Sequence, residues 1–225
     1  MTDAAFAPAR DPATDFATDG PELASLIAAK LCHDFISPSG AIMSGLDLLN
    51  DPTAQDMRDD ALSLITDSAK KMVALVQFCR VAFGAATTSE RFTGDELTAL
   101  VDGVVAGGRA TLEWRLDGRD FAKPAARALV NLAYLTVAAL PSGGTAVVST
   151  RRDGTDVVIE GVAEGARARL KPEATEGLAG RRLSEGLAGQ WIQPFWLWLT
   201  ARDAGGTLDV DVTDGRVEIT ARMPS

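Results

Sequence analysis

The hydrophobic pattern of the first third of the chain predicts two long helices. From Leu23 onward, apolar residues recur mostly three or four positions apart, which is the spacing of one helix face. This stripe comprises Leu23, Ile27, Leu31, Phe35, Ile42, Leu46 and Leu49. Asp19-Gly20-Pro21-Glu22 suits the start of this helix, and Asn50-Asp51-Pro52 ends it.

A second helical pattern follows, with apolar residues at alternating steps of four and three. Its members are Ile65, Ala69, Met72, Val76, Cys79 and Phe83. Such a heptad-like seam is typical of helices in a bundle. Because two helices with a short connection do not bury both of their faces alone, we expect a homodimer in which two hairpins form a four-helix bundle.

The remainder of the chain alternates between helical and extended patterns. Helices are predicted over Thr93–Ala106, Lys123–Ala139 and Leu187–Arg202, and strands over Ala110–Leu116, Thr145–Arg151, Asp156–Val162, Gly206–Val212 and Arg216–Met223. Asp153-Gly154 and Asp214-Gly215 have the composition of hairpin turns. This order predicts an α/β sandwich, one mixed sheet covered by helices. The last helix, which carries Trp191, Phe195, Trp196 and Trp198, is expected to be core and to cover the sheet.

The whole is therefore an α+β chain in three parts. Residues 1–20, which are rich in Ala, Asp, Thr and Pro, are expected to form a flexible N-terminal tail. Residues 21–86 form an antiparallel helical hairpin, and residues 90–225 form the α/β sandwich.

Charge and composition exclude several classes of function. A formal net charge of −9 argues against a nucleic-acid binder, which needs a basic surface. The chain has no apolar run of the roughly 20 residues that span a bilayer, and its first residues lack the pattern of a signal peptide. We therefore expect a cytoplasmic protein without a membrane partner.

The candidate chemistry centres on His33, the only histidine in the chain. A neutral imidazole supplies a nitrogen nucleophile near physiological pH. Asp34 follows it directly, and Ser37 lies one helical turn later. His33 projects from the side opposite the apolar stripe, where mostly small neighbours leave room for a partner: Leu26, Ala29, Lys30, Ser37, Gly40 and Ser44.

An incidental, metal-binding or hydrolytic role for His33 is less well supported. An exposed His-Asp pair is often incidental, but the hairpin, the preceding apolar run and Pro38 favour a function. One histidine beside Cys32 and Asp34, with no second cluster, does not build a closed metal site. A serine- or cysteine-hydrolase triad would have to use this same histidine.

His33-Asp34-Phe35-Ile36-Ser37-Pro38 resembles the H-box of two-component histidine kinases. That motif has a histidine, an acid at the next position, and Thr, Asn or Ser four residues on, before a proline. In that family the helix belongs to a dimeric hairpin and an ATP-binding α/β domain follows. The predicted elements after residue 90 resemble that domain in outline.

The nucleotide motifs of that family are not retained. The kinase N-box reads Asn-Leu-x-x-Asn-Ala and its asparagine holds magnesium, whereas this chain has Asn131-Leu132-Ala133-Tyr134-Leu135-Thr136. The Asp-x-Gly-x-Gly motif is replaced by Ala163-Glu164-Gly165-Ala166-Arg167, and Ser184-Glu185-Gly186-Leu187-Ala188-Gly189 is at best a remnant of the second glycine loop. Gly205-Gly206 does resemble the turn before the last kinase strands. The sequence thus predicts a kinase scaffold without an ATP site.

A histidine-bearing hairpin fused to a degenerate kinase-like domain resembles the histidine phosphotransferases of alphaproteobacterial phosphorelays. The resemblance implies that His33 carries a phosphoryl group between receiver-domain aspartates and that Asp34 hydrogen-bonds the ring. It implies a receiver-docking face formed by Leu26, Ala29, Lys30, Ser37, Gly40, Met43 and Ser44. It further implies that the chain binds no cofactor, since Mg²⁺ comes with the receiver. The donor would be the receiver of a hybrid histidine kinase, and the acceptor the receiver of a response regulator.

Three alternatives stay open at this point. The first is a kinase that still phosphorylates itself from ATP through unusual motifs. The second is a phosphatase that acts on a receiver's phosphoaspartate through the same face. The third is a non-enzymatic dimeric adaptor in which His33 is fortuitous.

Overall fold

The computed structural model describes residues 20–84, 90–183 and 185–224. The predicted tail, residues 1–20, lies outside this part except for Gly20, the first residue of α1. Helix α1 spans Gly20–Asn50 and continues through Pro38, and α2 spans Arg58–Ala82 after a short 3₁₀ turn at Gln55–Met57. The two predicted helices are therefore confirmed. No helix in the described ranges has the length and hydropathy to cross a bilayer.

The C-terminal unit contains every helix and strand that the sequence predicts and three further short elements. Its elements are β1 (Arg91–Thr93), α3 (Gly94–Val105), β2 (Ala110–Leu116), β3 (Asp120–Ala122), α4 (Lys123–Ala138), β4 (Gly144–Asp153), β5 (Asp156–Glu164), α5 (Pro172–Leu178), α6 (Ala188–Asp203), β6 (Thr207–Thr213) and β7 (Arg216–Pro224). The sequence does not predict β1, β3 or α5. Strands of three residues are too short to show a period, and α5 has a mixed polar composition.

Five strands form one mixed sheet in the order β2-β4-β5-β7-β6. β2 and β4 are parallel and are joined through α4, whereas the other pairs are antiparallel. β1 and β3 form a separate antiparallel pair. Alternate side chains of β7, namely Val217, Ile219, Ala221 and Met223, are fully buried, which identifies the face that the helices cover.

Local signals explain where the helices of this unit begin. The Thr93 hydroxyl accepts a hydrogen bond from the backbone N–H of Glu96, and the Glu96 carboxylate accepts one from the backbone N–H of Thr93. This reciprocal pair is a capping box, which fixes the start of α3. α4 begins with Pro124 in its first turn, where a missing N–H has no consequence.

The hairpin and the sheet unit share one hydrophobic core. Leu75, Phe78 and Val81 of α2 pack in the same cluster as the buried residues of α3, α4 and the sheet. The C-terminal turns of α2 therefore anchor the hairpin to the unit that follows.

The aromatic helix α6 is buried and covers the sheet as the sequence predicts, but its aromatic residues have a second role that the sequence does not predict. Trp191 and Phe195 are buried as predicted, but they stack on each other, with ring centroids 4.4 Å apart, in a second cluster. This cluster packs against Leu23, Leu26 and Ile27 of α1. The sheet core is met instead by the aliphatic residues Leu197 and Ala201. The aromatic residues thus hold the N-terminal half of α1 against the C-terminal unit.

Candidate functional site

His33 projects from α1 into solvent, and its side chain is 85% exposed. Its Nδ1 lies 3.2 Å from Oδ1 of Asp34, the next residue along the helix. A carboxylate only accepts hydrogen bonds, so in the neutral ring this contact favours the tautomer with the proton on Nδ1 and the free lone pair on Nε2. An exposed imidazole with a free Nε2 is available to attack an electrophile presented from outside the molecule.

Asp34 also binds Lys30, one turn earlier on the same helix. Nζ of Lys30 donates to Oδ2 of Asp34 at 2.7 Å. The lysine side chain is only 8% exposed, because it lies beneath the pair and over the ring of Tyr134, 5.8 Å from the ring centroid. Lys30, which the resemblance places in the receiver-docking face, is therefore buried, and its ammonium is already engaged inside the protein.

The groups around this ion pair are largely apolar or neutral. Tyr134 packs on Phe78, with ring centroids 5.4 Å apart, and its burial raises the pKa of its hydroxyl. Burial and, to a smaller extent, the negative Asp34 raise the pKa of the nearby Cys79 thiol to about 11. Cys79 is therefore a neutral packing residue at physiological pH rather than a reactive thiolate.

Most of the predicted docking face is exposed. Ala29 lies on the N-terminal side of His33, and the exposed residues on its C-terminal side are Ser37, Gly40, Met43 and Ser44. Leu26 differs from this set, because it is half-buried against the aromatic cluster of α6. Together with the buried Lys30, it supports the site from below.

A cleft of about 540 Å³ opens beside His33, between α1 and the C-terminal unit. Its α1 wall includes His33, Asp34 and Ala29. The opposite wall comes from the end of α4, the segment before and within α5, and the start of α6. These residues are Tyr134, Leu135, Ala138, Ala139, Arg169, Leu170, Lys171, Ala174, Leu187, Ala188, Gly189, Gln190, Gln193 and Pro194. The cleft is therefore a mainly apolar recess with the imidazole at its edge.

Two exposed cations on the far wall of this cleft are missed by the sequence reasoning. Arg169 and Lys171 follow β5 and lie across the cleft from His33. In the sequence they are part of an undistinguished polar loop, and no local motif marks them. Only the packing of α5 and α6 against α1 brings this segment to the site.

Asn131, which aligns with the first asparagine of the kinase N-box, is fully buried and fully engaged. Its Nδ2 donates to the carbonyl oxygens of Ala82 at 3.0 Å and Arg127 at 2.9 Å. Its Oδ1 accepts from Nε2 of Gln193 at 3.2 Å. Trp196 donates its indole N–H to the same Ala82 carbonyl at 2.7 Å. The asparagine therefore joins the C-terminal end of α2 to α4 and α6 and is not presented to a ligand.

Two other departures from the nucleotide motifs also have structural roles. Thr136, in the place of the N-box alanine, is buried and donates its hydroxyl to the carbonyl of Leu132. It packs so closely on β5 that a Cβ on Gly161 would lie 2.1 Å from its oxygen. Ala163, which stands in β5 where the kinase motif has its aspartate, is fully buried and packs in the hydrophobic core.

Replacing Asn131 with alanine is expected to destabilise the protein. The change leaves Nε2 of the buried Gln193 without its acceptor and removes two donated hydrogen bonds, so the free energy of unfolding should fall by about 2 kcal/mol. Urea unfolding followed by circular dichroism measures this difference. The exposed Asn50, at the end of α1, provides an Asn→Ala control that should change stability little. Equal stability of the two variants would contradict the structural role of Asn131.

The described residues contain no group of three or more His, Cys, Asp or Glu side chains placed to hold a metal ion. The acidic residue of the site, Asp34, is shared between His33 and Lys30. Its geometry suits orientation of the imidazole rather than coordination.

The chain is similar to known phosphotransferases. A family model described as the histidine phosphotransferase C-terminal domain matches residues 94–216. The protein phosphotransferase ChpT of Brucella abortus (strain 2308) is 30% identical over 194 residues, which cover 85% of this chain and 91% of that protein. A solved bacterial phosphotransferase is 27% identical, with a TM-score of 0.80 over 91% of this chain and 98% of the other.

The fold and the comparisons lead to one family. The helical hairpin precedes a histidine-kinase ATPase-like α/β sandwich, as the sequence predicts. The family match covers this sandwich, and the relatives extend over most of the chain, including the hairpin. The chain therefore belongs to the ChpT-type histidine phosphotransferases of phosphorelay signalling.

Proposed function

We propose that this chain relays a phosphoryl group between the aspartates of two receiver domains, through phosphohistidine at His33 and without ATP. The observation that carries the proposal is the exposed imidazole at the edge of a cleft, with its Nδ1 held by Asp34. Family membership supports phosphotransfer in general. The direction of transfer, the residues and the independence from ATP are the proposal.

Each transfer is a displacement at phosphorus. Nε2 of His33 attacks the phosphorus of the donor's aspartyl phosphate, so the P–N bond forms while the acyl P–O bond breaks and the aspartate leaves as a carboxylate. The ring, which keeps its proton on Nδ1, becomes a phosphoimidazolium whose positive charge faces Asp34. In the second step the acceptor's aspartate attacks the same phosphorus and the neutral imidazole is restored.

The surroundings of His33 fit a receiver domain as the partner. The exposed α1 residues Ala29, Ser37, Gly40, Met43 and Ser44 form a surface of mostly small side chains around the ring. Across the cleft, Arg169 and Lys171 provide positive charge on a chain of net charge −9. A receiver's acidic phosphorylation pocket complements these cations. We propose that Mg²⁺ is bound by the receiver, whose carboxylates suit it, and that this chain binds no cofactor.

Independence from ATP is supported by what the former nucleotide residues now do. Asn131 is buried and bonded to three neighbours, and the aspartate position of the glycine motif is held by the buried Ala163, which has no carboxylate. Among the described residues of this unit, we find no available magnesium ligand and no glycine-rich phosphate loop to orient a triphosphate.

The test compares two sources of phosphate. The purified chain is incubated with a radiolabelled phospho-receiver domain and, separately, with γ-labelled ATP, and acid-labile, alkali-stable label is measured. We expect label from the receiver and none from ATP, followed by loss of label to an unphosphorylated second receiver.

Each remaining outcome would identify one of the alternatives. Label from ATP would show an autophosphorylating kinase. Loss of receiver phosphate to water, with no label on the chain, would show a phosphatase. No change in either reaction would leave a non-enzymatic adaptor.

We also propose that the chain is a homodimer whose hairpins form a four-helix bundle. The apolar seam of α2 is only partly covered within one chain: Ala69 and Val76 are exposed, while the face that packs internally consists of Ala61, Ser68, Leu75 and Phe78. On α1, Ile36 is exposed as well. An apolar stripe along both helices favours burial against a second copy.

The double substitution Ala69→Glu/Val76→Glu is expected to give a monomer, because four carboxylates would meet in the bundle interface. Analytical ultracentrifugation measures the oligomeric state. Lys70→Glu/Gln77→Glu is the matched control. These two residues directly follow Ala69 and Val76 on the same helix and have the same spacing, so their side chains point to a neighbouring face of α2. A monomeric wild type, or monomers from both pairs, would contradict this interface.

Finally, we propose a cytoplasmic location with no nucleic-acid or membrane partner. The net charge of −9 and the absence of a membrane-crossing helix among the described residues are consistent with this.

A further inference from the structure

The buried Lys30 calls for a physical explanation. A lysine ammonium is strongly hydrated, so its burial is unfavourable unless its charge is compensated. Here the compensation comes from two sides: the Asp34 carboxylate at 2.7 Å, and the face of the Tyr134 ring, whose centroid lies 5.8 Å from Nζ. Tyr134 itself is wedged against Phe78 of α2. Lys30 is therefore held in one place by both units of the fold.

The position of Lys30 determines the position of Asp34. The two carboxylate oxygens move together as a rigid group. When Lys30 holds Oδ2, the rotation of the carboxylate is fixed and Oδ1 faces Nδ1 of His33. The orientation of the exposed His33 ring therefore depends on a series of contacts that runs from Tyr134 in the C-terminal unit through Lys30 to Asp34.

We infer that Lys30 and Tyr134 are positioning residues of the phosphoacceptor: they hold the Asp34 carboxylate so that His33 keeps its proton on Nδ1 and presents Nε2. The inference rests on the proposed function for its chemical purpose, the choice of the nitrogen that forms the P–N bond. Tyr134 lies three residues after Asn131, within the segment that aligns with the kinase N-box. Helix α4, which aligns with the kinase N-box, thus contacts Lys30 through Tyr134 and supports the orientation of His33.

The single histidine allows a direct test. In protein labelled with ¹⁵N-histidine, the ring nitrogens of His33 give one spin system, and their NMR shifts report which nitrogen carries the proton. The measurement is made in mildly alkaline solution, where imidazole is neutral. We expect the Nδ1–H form to dominate in wild type. Lys30→Met and Tyr134→Leu should shift the ring toward the Nε2–H form that free histidine prefers.

Two further variants separate positioning from general damage to the fold. Lys30→Arg retains a cation that reaches Asp34 and should keep the Nδ1–H form. Lys70→Met is the matched control, because Lys70 also pairs with an acid on its own helix, Asp67 at 3.6 Å, but lies exposed and away from the site. It should behave as wild type.

A second readout avoids receiver docking altogether. Phosphoramidate, a small phosphoryl donor, tests the reactivity of the ring alone. Lys30→Met should slow its labelling of His33 about tenfold, since groups that orient a functional imidazole commonly contribute that much. An unchanged rate would overturn the inference.

The NMR results decide the inference independently of the relay. A wild-type ring with its proton on Nε2, or an unchanged Nδ1–H form in both Lys30→Met and Tyr134→Leu, would overturn it. A wild type that takes label from phosphoramidate but from no phospho-receiver would refute the proposed relay. In that case the NMR shifts of the His33 ring nitrogens would still decide whether Lys30 and Tyr134 position the ring.

Discussion

The substitution His33→Gln is expected to remove all acid-labile label from the chain, whichever receiver serves as donor. Glutamine keeps a polar side chain of similar size on the exposed face of α1, but its amide nitrogen has no free lone pair for attack on phosphorus. Because His33 is the only histidine, no second imidazole can replace it. The loss should therefore be complete, measured as label retained after alkali treatment.

The control for this result is Cys32→Ser, which changes the exposed neighbour of His33 and removes a second nucleophile. It should leave labelling at the wild-type level. Label that survives His33→Gln would mean that another residue accepts the phosphoryl group. Equal loss in Cys32→Ser would point to damage to α1 rather than to removal of the acceptor.

The second large effect is expected for Asp34→Asn. The asparagine amide can present either its NH₂ group or its oxygen to Nδ1 of His33, so the ring no longer has to carry its proton on Nδ1. The substitution also removes the negative charge beside the phosphoimidazolium. By analogy with acids that orient a catalytic imidazole elsewhere, the transfer rate should fall by about two orders of magnitude or more. Single-turnover transfer from a saturating phospho-receiver measures this rate.

The concentration dependence distinguishes orientation from docking. A lower maximal rate with unchanged half-saturation by the receiver supports the orienting role of Asp34. A change confined to half-saturation would instead make Asp34 a docking residue. Asp47→Asn, an exposed acid further along α1, is the matched control and should change neither parameter.

Periodicity was sufficient to predict most of the fold. Long elements repeat their pattern several times, so α1 ends within the predicted break, at Asn50, and β2 has the predicted bounds, Ala110–Leu116. The short strands β1 and β3 escape detection because the pairing of Phe92 with Phe121 joins distant parts of the chain. The role of the Trp191 cluster was also missed, since the sequence shows that such a helix is apolar but not which surface it meets.

The candidate site divides in the same way between local and tertiary information. The approach of Asp34 to His33 is a contact between adjacent residues, and the sequence motif predicts it. The burial of Lys30 depends on Tyr134, more than 100 positions away, and no spacing along α1 reveals it. Arg169 and Lys171 likewise reach the cleft only through the packing of α5 and α6. The reactive atom was predictable, whereas its supports were not.

The presence of one imidazole beside one cleft has a kinetic consequence. On the proposed relay, donor and acceptor receivers must use the same surface of a given chain in turn, so the reaction follows a ping-pong order. The spent donor, once it has lost its phosphate, still fits that surface and competes with the acceptor. The amount of phosphorylated acceptor would then depend on the ratio of the two receivers as well as on the supply of phosphate. An abundant unphosphorylated donor would slow transfer to the acceptor or take the phosphoryl group back from His33.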